Sequence, residues 1–347
     1  MIPFTVECSM RAGALPLVVI LCALAAIDLT HAARLSNHEL RVAVALWKDD
    51  PESAAALHGP IGTWDTTGVS DMSELFRGAE EFNEDLQKWD VSNVTSLWGV
   101  FHGACNFNQP LASWDVSKVR DMRNVFFNAE SFNQPLASWD VSNVDDLGGM
   151  FYGAASFNQP LASWDVASVR NMGSMFNGAK TFNQPLENWA VLRVETMSGM
   201  FYGASAFDQD IAKWEVSQVT QMSCMFYHAA SFNRPLEDWD VFHVEDMSFM
   251  FNGAKAFNQP LLQWRVSNVA NMAKMFGGAE AFNQDIGDWD VGSVKNMNYM
   301  FEGAAKFNRP LQSWAISKDA SVFGMLANAT AFDQPQTIAH LGPAVSI

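Results

Sequence analysis

A column of carboxylates dominates the chemistry open to this chain. Asp65, Asp90, Asp115, Asp140, Asp165, Asp240 and Asp290 stand at multiples of 25 residues, with Glu215 in the same series and Ala190, Arg265 and Ala315 interrupting it. If each recurrence opens a new turn of a stacked coil, these side chains lie about 4.8 Å apart on one face. Oxygens at that spacing could hold Ca²⁺ between coils, and a pair of them could act on a glycan if a cleft enclosed it. The competing reading is structural: each Asp accepts hydrogen bonds from N–H groups of the Val-Ser-Asn turn that follows, which offsets the mutual repulsion. The structural reading is favoured, because a calcium site needs several carboxylates per ion. No cofactor is expected, and calcium is the one metal the pattern raises.

The breaks in the columns carry more information. Ala190, Leu192 and Arg193, then Phe242 and His243, then Arg265 replace residues that are otherwise Asp, Ser or small and polar. An aromatic, a leucine and two arginines on an acidic face form a candidate partner patch for a protein or a glycan. Neutral drift on a tolerant surface would leave the same pattern, so both readings stay open. Nothing points to an enzyme: the seven histidines are scattered, and no nucleophile motif, zinc spacing or phosphate loop accompanies them. Asn93-Val-Thr and Asn328-Ala-Thr are acceptor triplets for N-glycosylation in a host that performs it.

The element that must position these residues is a repeat. Trp64 recurs every 25 residues through Trp314, eleven copies without an insertion, and such a period means one unit stacked on copies of itself. Within Leu111–Phe132 the apolar residues are spaced 3, 2, 3, 3, 3, 1, 3 and 3 apart, so neither a helix nor a strand period fits the whole coil. The Leu-x-x-Trp-x-Val segment predicts a short strand at Ser113–Val116, pairing in parallel up the stack. Ser117 and its copies are expected to cap a helical or 3₁₀ turn, which the Gly78 column ends in left-handed backbone. Ala79 is alanine in every copy, as a tight contact between coils requires. The Asn83 column predicts an amide ladder onto the next coil's backbone, and the Met column exchanges with Leu and Val as core filler does.

The ends differ. Leu40–Trp47 and Pro51–Leu57 read as two short helices that cover the first coil, residues 33–60 forming an N-terminal cap, residues 61–336 the solenoid and residues 337–347 a tail. Residues 1–32, with Arg11, an apolar run over Ala12–Ile27 and small residues near Ala32, read as a secretory signal. The expected location is therefore secreted or cell-surface, with no membrane span in the mature chain. Lys+Arg of 21 against Asp+Glu of 38 gives a net charge of −17, which repels nucleic acid and anionic lipid. Cys105 and Cys224 lie almost five periods apart, too far for a disulfide.

Ser131-Phe-Asn-Gln-Pro-Leu-Ala-Ser-Trp-Asp-Val-Ser-Asn-Val144 and Gly149-Met-Phe-Tyr-Gly-Ala154 resemble the BspA-type leucine-rich repeat surface proteins, specifically the 25-residue Mycoplasma lipoprotein-associated repeat. The likeness runs from about Ile61 to Pro335. It implies an α/β solenoid, a leucine-rich-repeat-like right-handed stack of short parallel strands and short helical or 3₁₀ turns. It also implies a secreted or surface protein engaged in adhesion or ligand binding, and it lends no catalytic residues. The alternative is a structural matrix or envelope component that works through rod shape, with calcium as a stabiliser.

Overall fold

The structure is a computed structural model that describes residues 34–341; the signal reading of residues 1–32 lies outside them. Helix α1 (Asn37–Asp49) begins at a capping box, in which the Ser36 side chain accepts from the Glu39 amide and Glu39 reaches back to Ser36. Helix α2 (Pro51–His58) starts with Pro51 at its first position and Asp50 as N-cap. A 3₁₀ turn at Ile61–Thr63 leads into the first coil.

From Trp64 onward every coil repeats the same hydrogen bonds. The N–H groups of Met72, Glu74, Phe76 and Gly78 donate to the carbonyls of Ser96, Trp98, Val100 and His102 in the following coil, and this set of four recurs at each junction up to Gly303. The intervening amides turn inward instead: Leu75 donates to Met72, Arg77 to Glu74 and Ala79 to Phe76. Alternate N–H groups therefore stitch coils together while the others close three-residue turns, so this backbone stretch satisfies itself without helix or strand.

The strand expected at Ser113–Val116 is absent. Leu111–Trp114 is a turn closed by the Trp114 amide on the Leu111 carbonyl at 3.1 Å, and Val116–Val119 is another. Parallel pairing occurs five residues beyond, as single bridges running Asp71, Ser96, Asp121 and onward to Ser321. The reason lies in the side chains: Leu111, Trp114 and Val116 are all buried, and the three-residue step from Leu to Trp is a turn period. The ladder segment escapes a period-two reading because its backbone is not extended. Asn124 and Asn128 both have positive φ, 56° and 53°, a conformation that bends the chain every fourth residue. The coils are thus built from tight turns and isolated bridges, without the helices or strands of an α/β unit.

The core is continuous. Phe101, Phe126 and Phe151 stack coil on coil with centroids 5.6–5.7 Å apart, and Trp114 and Trp139 lie parallel at 6.5 Å. From Trp89 onward each indole N–H of the column also reaches back to the preceding coil, Trp114 to the Leu86 carbonyl at 3.0 Å and Trp139 to Leu111 at 2.9 Å. The Asn column forms the amide ladder: Asn108 Oδ1 accepts from the Asn133 amide and from Gln134 Nε2 in the next coil. Ala104 through Ala329 are buried in the same stack.

The two ends close differently. At the first coil, α1 aims Arg41 at the Ser73 carbonyl and at Asp71, and Lys48 at the Arg77 carbonyl. These carbonyls have no preceding coil to serve, so the helix supplies donors where the ladder runs out. At the last coil a third helix, α3 (Pro335–Leu341), crosses the boundary placed at residue 336. Thr337 takes the place of a further coil by accepting from the Leu311 amide, and His340 contacts the Trp314 carbonyl. Among the described residues no helix is long and apolar enough to cross a membrane, and Cys105 and Cys224 are free.

Candidate binding surface

The Asp column lies on turns. Asp90 Oδ1 accepts the Ser92 amide at 2.9 Å, Asp115 the Ser117 amide at 3.1 Å and Asp140 the Ser142 amide at 3.0 Å. Asp165 and Asp240 do the same for Ala167 and Phe242. The cap of this turn is therefore the aspartate, and the serine expected to cap donates its amide. Side-chain bonding from Ser92, Ser117 and Ser142, then their amides, holds the Asp90, Asp115 and Asp140 carboxyls below the ordinary carboxylate range. One oxygen of each is committed within its own coil, which opposes a role as shared cation ligands. Among the described residues no group of three or more His, Cys, Asp or Glu side chains converges to hold a metal ion.

The column breaks are partly gathered. Arg265 lies over the Phe242 ring, its guanidinium 4.4 Å from the centroid, a stacking contact worth about 0.5–1 kcal/mol at an exposed site. His243 meets the same ring edge-on at 5.2 Å. Leu192 is 50% exposed and occupies the position of Phe242 two coils earlier, with the exposed Arg193 beside it. Leu262, at 41% exposure, adds a further apolar side chain three residues before Arg265. The interrupting residue Ala190 removes a carboxylate from the column.

Between these groups the surface is hollowed. One open hollow of about 680 Å³ is bordered by Asp210, Lys213, Glu215, Ser217, Asp238 and Asp240. A smaller one of about 280 Å³ is bordered by Glu187, Ala190, Leu192, Lys213 and Glu215. Lys213 and Glu215 border both, so the two run together from Leu192 to Asp240. The floor is the buried Trp214 of the repeat. Four carboxylates around one ammonium make the larger hollow acidic. Lys213 and Asp238 were missed in the sequence because the column they share varies among Ser, Asn, Gln, Lys and Asp, whereas Asp210 replaces the proline of its column, as Asp85 and Asp285 do, a break that was itself the available signal.

The acceptor asparagines and threonines of the glycosylation triplets are exposed, while Val94 and Ala329 between them are buried. Asn93 donates its amide to the Thr67 carbonyl and accepts from Lys118, while Asn328 sits in left-handed backbone with φ of 60°.

Residues 51–162, 136–239 and 225–339 each match a family described as "Mycoplasma protein of unknown function, DUF285". No curated protein matches the chain. Among solved structures, one similarity is to that described as "Crystal structure of TLR13-ssRNA13 complex", at 9% identity over 70% of this chain and 48% of the other, with a TM-score of 0.19. The chain thus spans about half the length of that structure's chain, and likeness at this level carries no argument about fold or ligand.

Proposed function

Because the chain belongs to the family described as Mycoplasma protein of unknown function, DUF285, a family of tandem repeats, we propose that it is a non-catalytic binding scaffold whose partner is a protein. The observation that carries this is the convergence of column breaks on one hollowed surface. Exposed Leu192 borders the joined hollows at one end, and at the other end stands Asp240, whose carboxylate accepts the amide of the Arg265-covered Phe242. An apolar anchor beside unpaired charge is the pattern of an interface centre. A complementary partner would place a basic side chain in the hollow and an apolar one on Leu192.

The non-catalytic part of the proposal is supported by the Asp column, whose carboxylates serve their own turns. The secreted or surface location is supported by the composition of residues 1–32. The turn-built coil, with one parallel bridge per step, is compatible with a BspA-type leucine-rich-repeat relationship. Phe242→Ser and Arg265→Asp are expected to weaken retention on the surface of host cells while lowering the melting temperature by no more than about 4 °C, the worth of the lost Arg265–Phe242 contact. Retention equal to wild type, with concentration-dependent assembly in light scattering, would replace this reading with that of a structural rod.

A further inference from the structure

The face that carries the parallel ladder is separate from the Leu192–Arg265 surface, and it bears an aromatic column of its own. His102 and Phe127 stack at 4.4 Å, Phe127 and Tyr152 at 4.2 Å with an interplanar angle of 4°, and Tyr202 and Tyr227 at 4.3 Å with 8°. The column is interrupted once between these rings, by Asn177. One face of Tyr152 and one face of Tyr202 are consequently left without a stacked ring and look toward each other across two coil steps, about 9.6 Å at the usual strand spacing. A ring in contact with both faces needs roughly 7–8 Å, twice the 3.5–4.0 Å separation of carbon atoms in contact. Outward of the shorter side chain that occupies the intervening coil, that separation is wide enough for one ring.

Asn177 stands in that gap half-buried, and its carboxamide makes no hydrogen bond among the described residues. It leans toward the next coil, its Nδ2 lying 3.7 Å from where a Cβ on Gly199 would be. The Ser174 hydroxyl and the Gln221 carboxamide on the same face are likewise uncommitted among the described residues. The neighbouring positions Gly149, Gly173 and Gly199 carry no side chain to cover the rings.

The groups that line the gap are neutral in a chain of net charge −17. Two flanking charge pairs are closed, Arg170 with Glu195 at 2.6 Å and Asp146, in the Tyr152 coil, with Arg123 at 3.8 Å. Ring faces for C–H groups, amides and hydroxyls for hydroxyl groups, and flanking charges already paired match an uncharged sugar chain. A nucleobase would arrive on a polyanion, which the net charge repels. We propose that the ladder face around Tyr152, Asn177 and Tyr202 binds a neutral glycan, one sugar ring seated between the two tyrosines and the Asn177 carboxamide turned to its hydroxyl groups. This deepens the scaffold reading by adding a second ligand class on a second face.

The test uses the full chain on an array of cellohexaose, laminarihexaose, mannohexaose and chitohexaose, with hyaluronan and oligogalacturonate as charged controls, followed by calorimetric titration of the sugar retained. Tyr202→Ala is expected to weaken binding by roughly tenfold or more. Asn177→Tyr, which completes the stack and fills the gap, is expected to abolish binding without lowering the melting temperature. Binding should be insensitive to salt, and Phe242→Ser should leave it intact. Retention of none of the neutral sugars at about 1 mM, preference for the charged ones, or wild-type affinity in Asn177→Tyr would overturn the proposal. Those outcomes are independent of cell-surface retention by the Phe242 and Arg265 variants, so the two readings fail separately.

Discussion

Each aspartate of the outward column offers its carboxylate to the amide two residues on, and the three whose carboxyls are held low do so with a serine as partner. Asp115→Ala is expected to cost about 1 kcal/mol, the net value of one hydrogen bond, measured by denaturant unfolding. Asp115→Asn should recover most of that loss, since its amide oxygen also accepts from Ser117. The pH dependence separates the two. A carboxyl whose folded pKa lies below its unfolded value of 3.8 stabilises the fold above that value, and the contribution disappears as pH falls through the lower folded value. Wild type should therefore lose its advantage over Asp115→Ala on acidification, while the advantage of Asp115→Asn over Asp115→Ala stays constant.

At the scale of the element, helix α1 works as a lid on an open ladder. Arg41 and Lys48 feed the Ser73 and Arg77 carbonyls, which elsewhere in the stack are served by the preceding coil's amides. Replacing both with methionine keeps the aliphatic stems and removes the donors. The double variant is expected to lose about 1–3 kcal/mol and to show faster hydrogen exchange in the first coil than in the middle ones. Equal exchange throughout would mean the helix caps by apolar contact alone. The start of the second helix was legible in Pro51, and the period, the buried columns and the Asn ladder were legible in the invariance of each position, whereas the Ser36–Glu39 capping box of the first helix went unread. The strand was not. Trp-x-Val offers only two alternating positions, too few to separate a strand from a turn, and Glu74, Phe249 and Tyr299 adopt positive φ without glycine to announce it. Helix α3 was missed because Pro335–Leu341 follows eleven copies of the repeat and reads as its decay.

Over the whole molecule, stability is distributed in nearest-neighbour steps, each junction repeating four ladder bonds, one indole bond and one amide ladder. A regular stack of this kind tolerates change at outward positions, so departures there are free to serve recognition. Leu192, Phe242 and Arg265 stand out in the sequence by their break from the columns; only the fold sets Arg265 over Phe242 and runs the hollows from Leu192 to Asp240, whose carboxylate holds the Phe242 amide. That surface is the central claim, and site-specific photocrosslinking tests it most directly. A benzophenone amino acid placed at Leu192 or Phe242, and as controls at the equivalent Ser117 and Gly292, would be irradiated on host cells. The account predicts one common protein adduct from Leu192 and Phe242 and none from Ser117 or Gly292. Adducts of equal yield from all four positions, or from none of them, would contradict it.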